Sequence, residues 1–192
     1  ICLMPPLARC KIAALADLAD QLRFASKSAL VRQIVSAERL ASGLEPKERY
    51  PEDWIVFKIT GHRPSNLDPA EPQTGTAVLS DLSAFVERLC ESAELSIDDV
   101  PGGSIDADTL AERWNVSRKT VDRARRKGLI ARRVRNERGR AMLVFTGESI
   151  ASYEARQGEA IERAGRFTRL GPETEAKILR RAARYRSRFN CT

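Results

Sequence analysis

Between positions 118 and 140 the chain carries eleven lysines and arginines against two acids, Asp122 and Glu137, a local charge of +9. Positive charge packed that densely calls for a polyanion or for continuous solvation, and the guanidinium fork matches phosphate oxygens and guanine edges. Spacing sorts the cluster into two groups. Val121, Ala124 and part of Arg125 fall on one side of a helix, which leaves Arg118, Lys119, Asp122, Arg123 and Arg126 to the opposite side. The remaining arginines flank the polar turn Asn136-Glu137-Arg138-Gly139, between β-prone residues 131–134 and 141–145, as in a hairpin with a charged tip.

The chain carries no competing catalytic or metal chemistry. His62, the single histidine, sits between Gly61 and Arg63 with no acid or nucleophile at a recognisable spacing. There is no phosphate-binding glycine loop and no carboxylate cluster with metal-ligand spacing, so the chain reads as a non-enzyme without cofactor or metal. Cys2, Cys10, Cys90 and Cys191 are far apart, with no C-x-x-C pair, which argues against zinc and against a disulfide scaffold. Cys10 and Cys90 lie in apolar helical stripes, where a thiol behaves as a small hydrophobe, and this usage points to a reducing cytoplasm. No apolar run reaches membrane-spanning length, and Ile1-Cys2-Leu3-Met4 is cut short by Pro5-Pro6. A first residue other than Met reads as a fragment of a longer protein, or Met4 as the true start.

The elements that must position the basic groups lie in residues 106–145, DADTLAERWNVSRKTVDRARRKGLIARRVRNERGRAMLVF. Asp106 or Asp108 caps a first helix with Leu110, Ala111 and Trp114 on its inner face; Asn115 exits left-handed and Val116 plugs the turn. Ser117 caps a second helix over residues 118–127, which stops at Gly128, and Leu129 and Ile130 return to the core. This is a helix-turn-helix followed by a basic wing. Its buried set is expected to be Leu110, Trp114, Val116, Val121, Leu129 and Ile130.

Around it the sequence reads as mainly α. An N-terminal helical domain occupies residues 1–60, with helices over 7–24 and 28–40 forming an antiparallel pair. A third segment follows Pro51-Glu52-Asp53, with Tyr50, Trp54, Ile55 and Phe57 packing as core; its opening favours helix over strand. Residues 61–76, rich in Pro and Gly, form a linker, and residues 77–103 a helix and connector. The winged helix-turn-helix with its small β-hairpin spans 104–164, ending in a helix capped by Thr146, and a basic C-terminal helix spans 165–192. That last helix carries Ile178, Leu179, Ala182, Tyr185 and Phe189 on one face and Arg180, Arg181, Arg184, Arg186 and Arg188 on the other, with Glu173 and Glu175 at its start.

The net charge of +7 hides a division: residues 1–105 carry eleven bases and fifteen acids, residues 106–192 twenty-two bases and eleven acids. On this division the second half alone binds nucleic acid, neutralising about five to eight phosphates, and the acidic first half meets a different partner.

The segment VSRKTVDRARRKGLIARRV resembles the helix-turn-helix of MerR and excisionase-like winged-helix proteins, in which Val-Ser-x-x-Thr-Val-x-Arg opens the recognition helix and Gly-Leu-Ile leads into the wing. YPEDWIVFKITGHRP upstream and FTRLGPETEAKILRRAARYRSRF downstream make the whole layout resemble the N-terminal part of sigma-factor-like proteins of planctomycete bacteria. That resemblance implies a longer parent protein with a further helix-turn-helix and a role in directing RNA polymerase, contacted through the acidic half.

By analogy with helix-turn-helix docking on double-stranded DNA, Arg118, Lys119 and Arg123 are the candidates for base edges. Ser117, Thr120, Arg126, Arg135, Arg138 and Arg140 are the candidates for phosphates. Two alternatives use the same surface: an excisionase-like factor that bends DNA, and an RNA-binding or ribosome-associated protein.

Overall fold

The computed structural model describes residues 7–63, 71–166 and 172–189. Among these the chain is mainly helical, with two small antiparallel sheets. Cys2, Met4, Pro64, Pro69 and Cys191 lie outside the described residues, as do the side chains of Glu173, Glu175, Arg186, Arg188 and Phe189.

Helices α1 (Ala13–Leu22) and α2 (Lys27–Ser42) pack on α4 (Gly75–Ser92), which is buried on most of its circumference, and α3 (Glu52–Thr60) packs across α1 and α2. The anticipated pairing of the first two helices is not what forms, since each packs principally on α3 and α4. The reason is apolar area. With Val78, Leu79, Leu82, Phe85, Val86 and Leu89 all buried, α4 offers more than one apolar face, and two amphipathic helices bury more surface against it than against each other. Helix α3 settles the strand-or-helix ambiguity after Pro51. Glu52 and Asp53 occupy its first turn, and Gly61 closes it in the left-handed region at φ 77°. Tyr50 and Trp54 stack at 5.1 Å against the bundle, while Phe57 is exposed on its outer side.

Two carboxylates from elsewhere in the bundle serve the start of α1. Its N-cap, Ile12, has no side-chain oxygen, and Asp81 on α4 instead accepts from the Lys11 and Ile12 N–H groups at 2.5 and 2.6 Å. Glu52 accepts from the Ala14 N–H at 3.2 Å and from Gln73 Nε2 at 2.9 Å. Residues 73–76, read from sequence as the end of a linker, are structured: β2 (Gln73–Thr74) pairs with β1 (Arg49–Tyr50), and α4 already begins at Gly75.

Beyond a short 3₁₀ turn at Ile97–Asp99, β3 (Ile105–Asp106) leads into α5 (Ala107–Arg113) and α6 (Arg118–Arg125). The hairpin β4 (Arg132–Arg135) and β5 (Ala141–Phe145) follows, then α7 (Gly147–Gly165) and α8 (Pro172–Phe189). β5 is the middle strand of a three-stranded sheet, order β3-β5-β4, and β3 is an addition to the hairpin read from sequence. The pleat gives the hairpin two cores. Val134 and Val144 join the α1–α4 core with Ile130, while Leu143 and Phe145 join a second core with Leu110, Trp114, Val121, Leu129, Ile150 and Tyr153. Ile130 is therefore the one member of the anticipated helix-turn-helix set that faces the other way. None of the described helices is long and apolar enough to cross a membrane.

Candidate nucleic-acid interface

The turn between α5 and α6 forms as its residues dictate. Asp106 caps α5, accepting from the Thr109 N–H at 2.8 Å, and that bond holds its carboxyl below the usual carboxylate range. Trp114 ends α5 in the core, 7 % exposed, stacked on Tyr153 at 5.8 Å and donating its Nε1–H to Glu154 at 2.8 Å. Asn115 takes the left-handed conformation at φ 52° and donates to the Gly165 carbonyl of α7. Ser117 then caps α6, its Oγ accepting from the Thr120 N–H at 3.3 Å and lying 3.0 Å from the Thr120 hydroxyl.

Helix α6 is locked to the α1–α4 bundle at its far end. Gly128 has φ 97°, and a Cβ there would stand 2.8 Å from Leu79 Cβ, so glycine serves both the conformation and the close approach. The Ser83 hydroxyl donates to the Leu129 carbonyl, and Arg156 from α7 reaches the carbonyls of Ala41 and Gly128. Between them, Arg125 donates from Nε and Nη2 to one oxygen of Glu87, at 2.9 and 2.6 Å, and from Nη1 to Asp122 at 3.0 Å. Burial holds the Glu87 carboxyl above its usual range, with Arg125 pulling the other way.

The hairpin is anchored similarly. Arg132, 6 % exposed, forms a two-pronged pair with Glu38 of α2 at 2.8 and 2.7 Å, which raises the guanidinium pKa above its ordinary value. Arg133 and Arg135 share Glu91 of α4, each at 3.1 Å. At the other end of α6's N-terminal turn, Arg118 is paired with Asp108 of α5.

Five of the eleven bases therefore have carboxylate partners inside the fold: Arg118, Arg125, Arg132, Arg133 and Arg135. Glu38, Glu87 and Glu91 of the acidic half neutralise four of these five, so neither a polyanion nor solvent is needed for them. Lys119, Arg123, Arg126, Lys127, Arg138 and Arg140 are exposed and without an ion pair among the described residues. Lys119, Arg123 and Arg126 recur at spacings of four and three and so form one stripe along α6. Arg138 and Arg140 sit at the hairpin tip, where Asn136 Oδ1 accepts from both of their backbone N–H groups and Gly139 turns at φ 71°.

The structure thus groups Lys119, Arg123 and Arg126 and leaves Arg138 and Arg140 at the tip. Arg118 and Arg135 are tied to acids, and the Ser117 and Thr120 hydroxyls are half-buried in the cap. Lys127 was overlooked by sequence reasoning, although its place next to Arg126 before the closing glycine was a usable signal. Burial pushes the thiols of Cys10 and Cys90 up to about 11 and about 12. No protein family, curated protein or solved structure matches the chain.

Proposed function

We propose that this protein binds duplex DNA in transcription, with α5 and α6 as a helix-turn-helix, α6 in the major groove and the β4–β5 hairpin as a wing along the backbone. One observation carries the reading. In a cluster where five bases are neutralised internally, the six without an ion pair among the described residues are the outward stripe of α6, Lys127 beside its end, and the two arginines at the hairpin tip. A merely solvated charged surface gives no reason for that division. Lys119 and Arg123, nearest the N-terminal half of the helix, take base edges, with Arg118 joining them by exchanging Asp108 for a base. Arg126, Lys127, Arg138 and Arg140 take phosphates, as do Ser117, Thr120 and Arg135 where DNA displaces their internal bonds.

The test is fluorescence anisotropy with a selected duplex, scrambled duplex and structured RNA, over a salt series. Four phosphate contacts give a log-log salt slope of at least about −4 in magnitude. Duplex preference, lost in Lys119→Ala/Arg123→Ala, supports the reading; equal or tighter binding to structured RNA refutes it. A sigma-like role in transcription initiation predicts, in addition, co-purification with RNA polymerase, whereas an excisionase-like role predicts bending of the bound duplex without polymerase.

A further inference from the structure

Arg126 ends the α6 stripe at the mouth of a cleft of about 360 Å³, whose walls include Ala8, Arg9, Lys11, Ser80, Asp81 and Glu87. This joins the end of the recognition stripe to the segment just before α1, well over a hundred residues earlier in the chain. The two acids in the cleft are turned inward and engaged. Asp81, 3 % exposed, accepts the Lys11 and Ile12 N–H groups, and Glu87, 1 % exposed, is bonded to Arg125. Arg9, Lys11 and Arg126 are exposed, and none of them has an ion pair among the described residues. The cleft therefore presents cations outward over acids that are spent inside.

From these positions we infer that Arg9 and Lys11 bind backbone phosphates of the same duplex that α6 reads, extending the basic track across the N-terminal bundle. The inference rests on the DNA-binding reading above. Lys119 to Arg126 covers about 10.5 Å of helix at about 1.5 Å per residue, close to the width of a major groove of about 12 Å. Groups just past Arg126 consequently meet the phosphates bordering that groove, where positive charge contributes without reading sequence. The acidic first half, on net charge a poor candidate for DNA, contributes two local cations because the fold brings them to the end of the stripe.

The experiment compares the full chain with Arg9→Ala/Lys11→Ala, Ala8→Lys and Lys119→Ala/Arg123→Ala on the selected and scrambled duplexes from low to moderate salt. Removing the Lys11 side chain leaves its backbone N–H to Asp81, and an unchanged melting temperature for the double variant verifies that the fold is intact. The expected result is that Arg9→Ala/Lys11→Ala weakens both duplexes alike and lowers the magnitude of the salt slope by about 2, while Ala8→Lys raises it by about 1. If neither change moves the slope while Lys119→Ala/Arg123→Ala removes duplex preference, the track ends at Arg126 and this inference fails with the DNA-binding reading intact. If the unaltered chain does not bind duplex DNA, both fall together.

Discussion

Arg125→Met tests how α6 is held. The substitution removes both bonds to Glu87, at 2.9 and 2.6 Å, and the bond to Asp122 at 3.0 Å. Asp122 is partly exposed and regains water, but Glu87 is 1 % exposed and has no other side-chain hydrogen-bond donor among the described residues, its Oε2 being already without a hydrogen bond. An uncompensated buried charge costs about 3–5 kcal/mol, and the methionine chain recovers about 1 kcal/mol of that by filling the space of the arginine stem. The net expectation is a loss of about 2–4 kcal/mol at neutral pH, read by urea titration. In a chain of this size it corresponds to a melting temperature lowered by about 5–15 °C.

The same variant carries a pH signature. Burial places the folded-state pKa of Glu87 above its unfolded value, and loss of Arg125 moves it further up. A raised carboxyl contributes stability below its ordinary pKa and loses it as pH rises through the folded value, so the deficit of Arg125→Met should shrink on going from pH 8 to pH 5. Glu87→Leu/Arg125→Met removes both charges and should return to within about 1 kcal/mol of the unaltered chain. A deficit below about 1 kcal/mol that is also flat with pH refutes the assigned role of the pair.

Trp114→Ala removes a 7 % exposed indole together with its stack on Tyr153 and its bond to Glu154, and should cost about 3–5 kcal/mol by denaturant titration. Gly128→Ala forces a side chain into φ 97° against Leu79, for an expected loss of about 2–4 kcal/mol by the same measurement. In DNA binding, Arg123→Ala should lose about 1–3 kcal/mol on the selected duplex and relax base preference, whereas Arg138→Ala should weaken all duplexes alike and lower the salt slope by about 1; the opposite pattern reverses the roles of helix and hairpin. Residues 104–192 expressed alone should show no cooperative thermal transition, because Ile130, Val134 and Val144 lose the core they complete and Arg132 loses Glu38. A sharp transition with undiminished DNA affinity would refute that dependence.

What was legible in the sequence was whatever neighbouring residues decide among themselves. The caps at Asp106, Ser117 and Thr146, the left-handed Asn115 and Gly128, and the hairpin turn at Asn136–Gly139 all depend on contacts a few residues apart, and each forms where its residues indicate. The charge pattern was legible only in part, because a count along the chain cannot tell an arginine facing solvent from one facing a glutamate on another helix. Arg132 lies 94 residues from Glu38 and Arg125 lies 38 from Glu87. Three glutamates of residues 1–105 are the counter-charges that hold α6 and the hairpin. That arrangement gives the buried acids a consequence for recognition. On the proposed DNA-binding reading, fastening Arg125, Arg132 and Arg133 inward leaves fewer cations to hold a duplex indiscriminately, and the outward ones lie along and beside the end of the stripe and at the tip, where position along a duplex would distinguish reading from gripping.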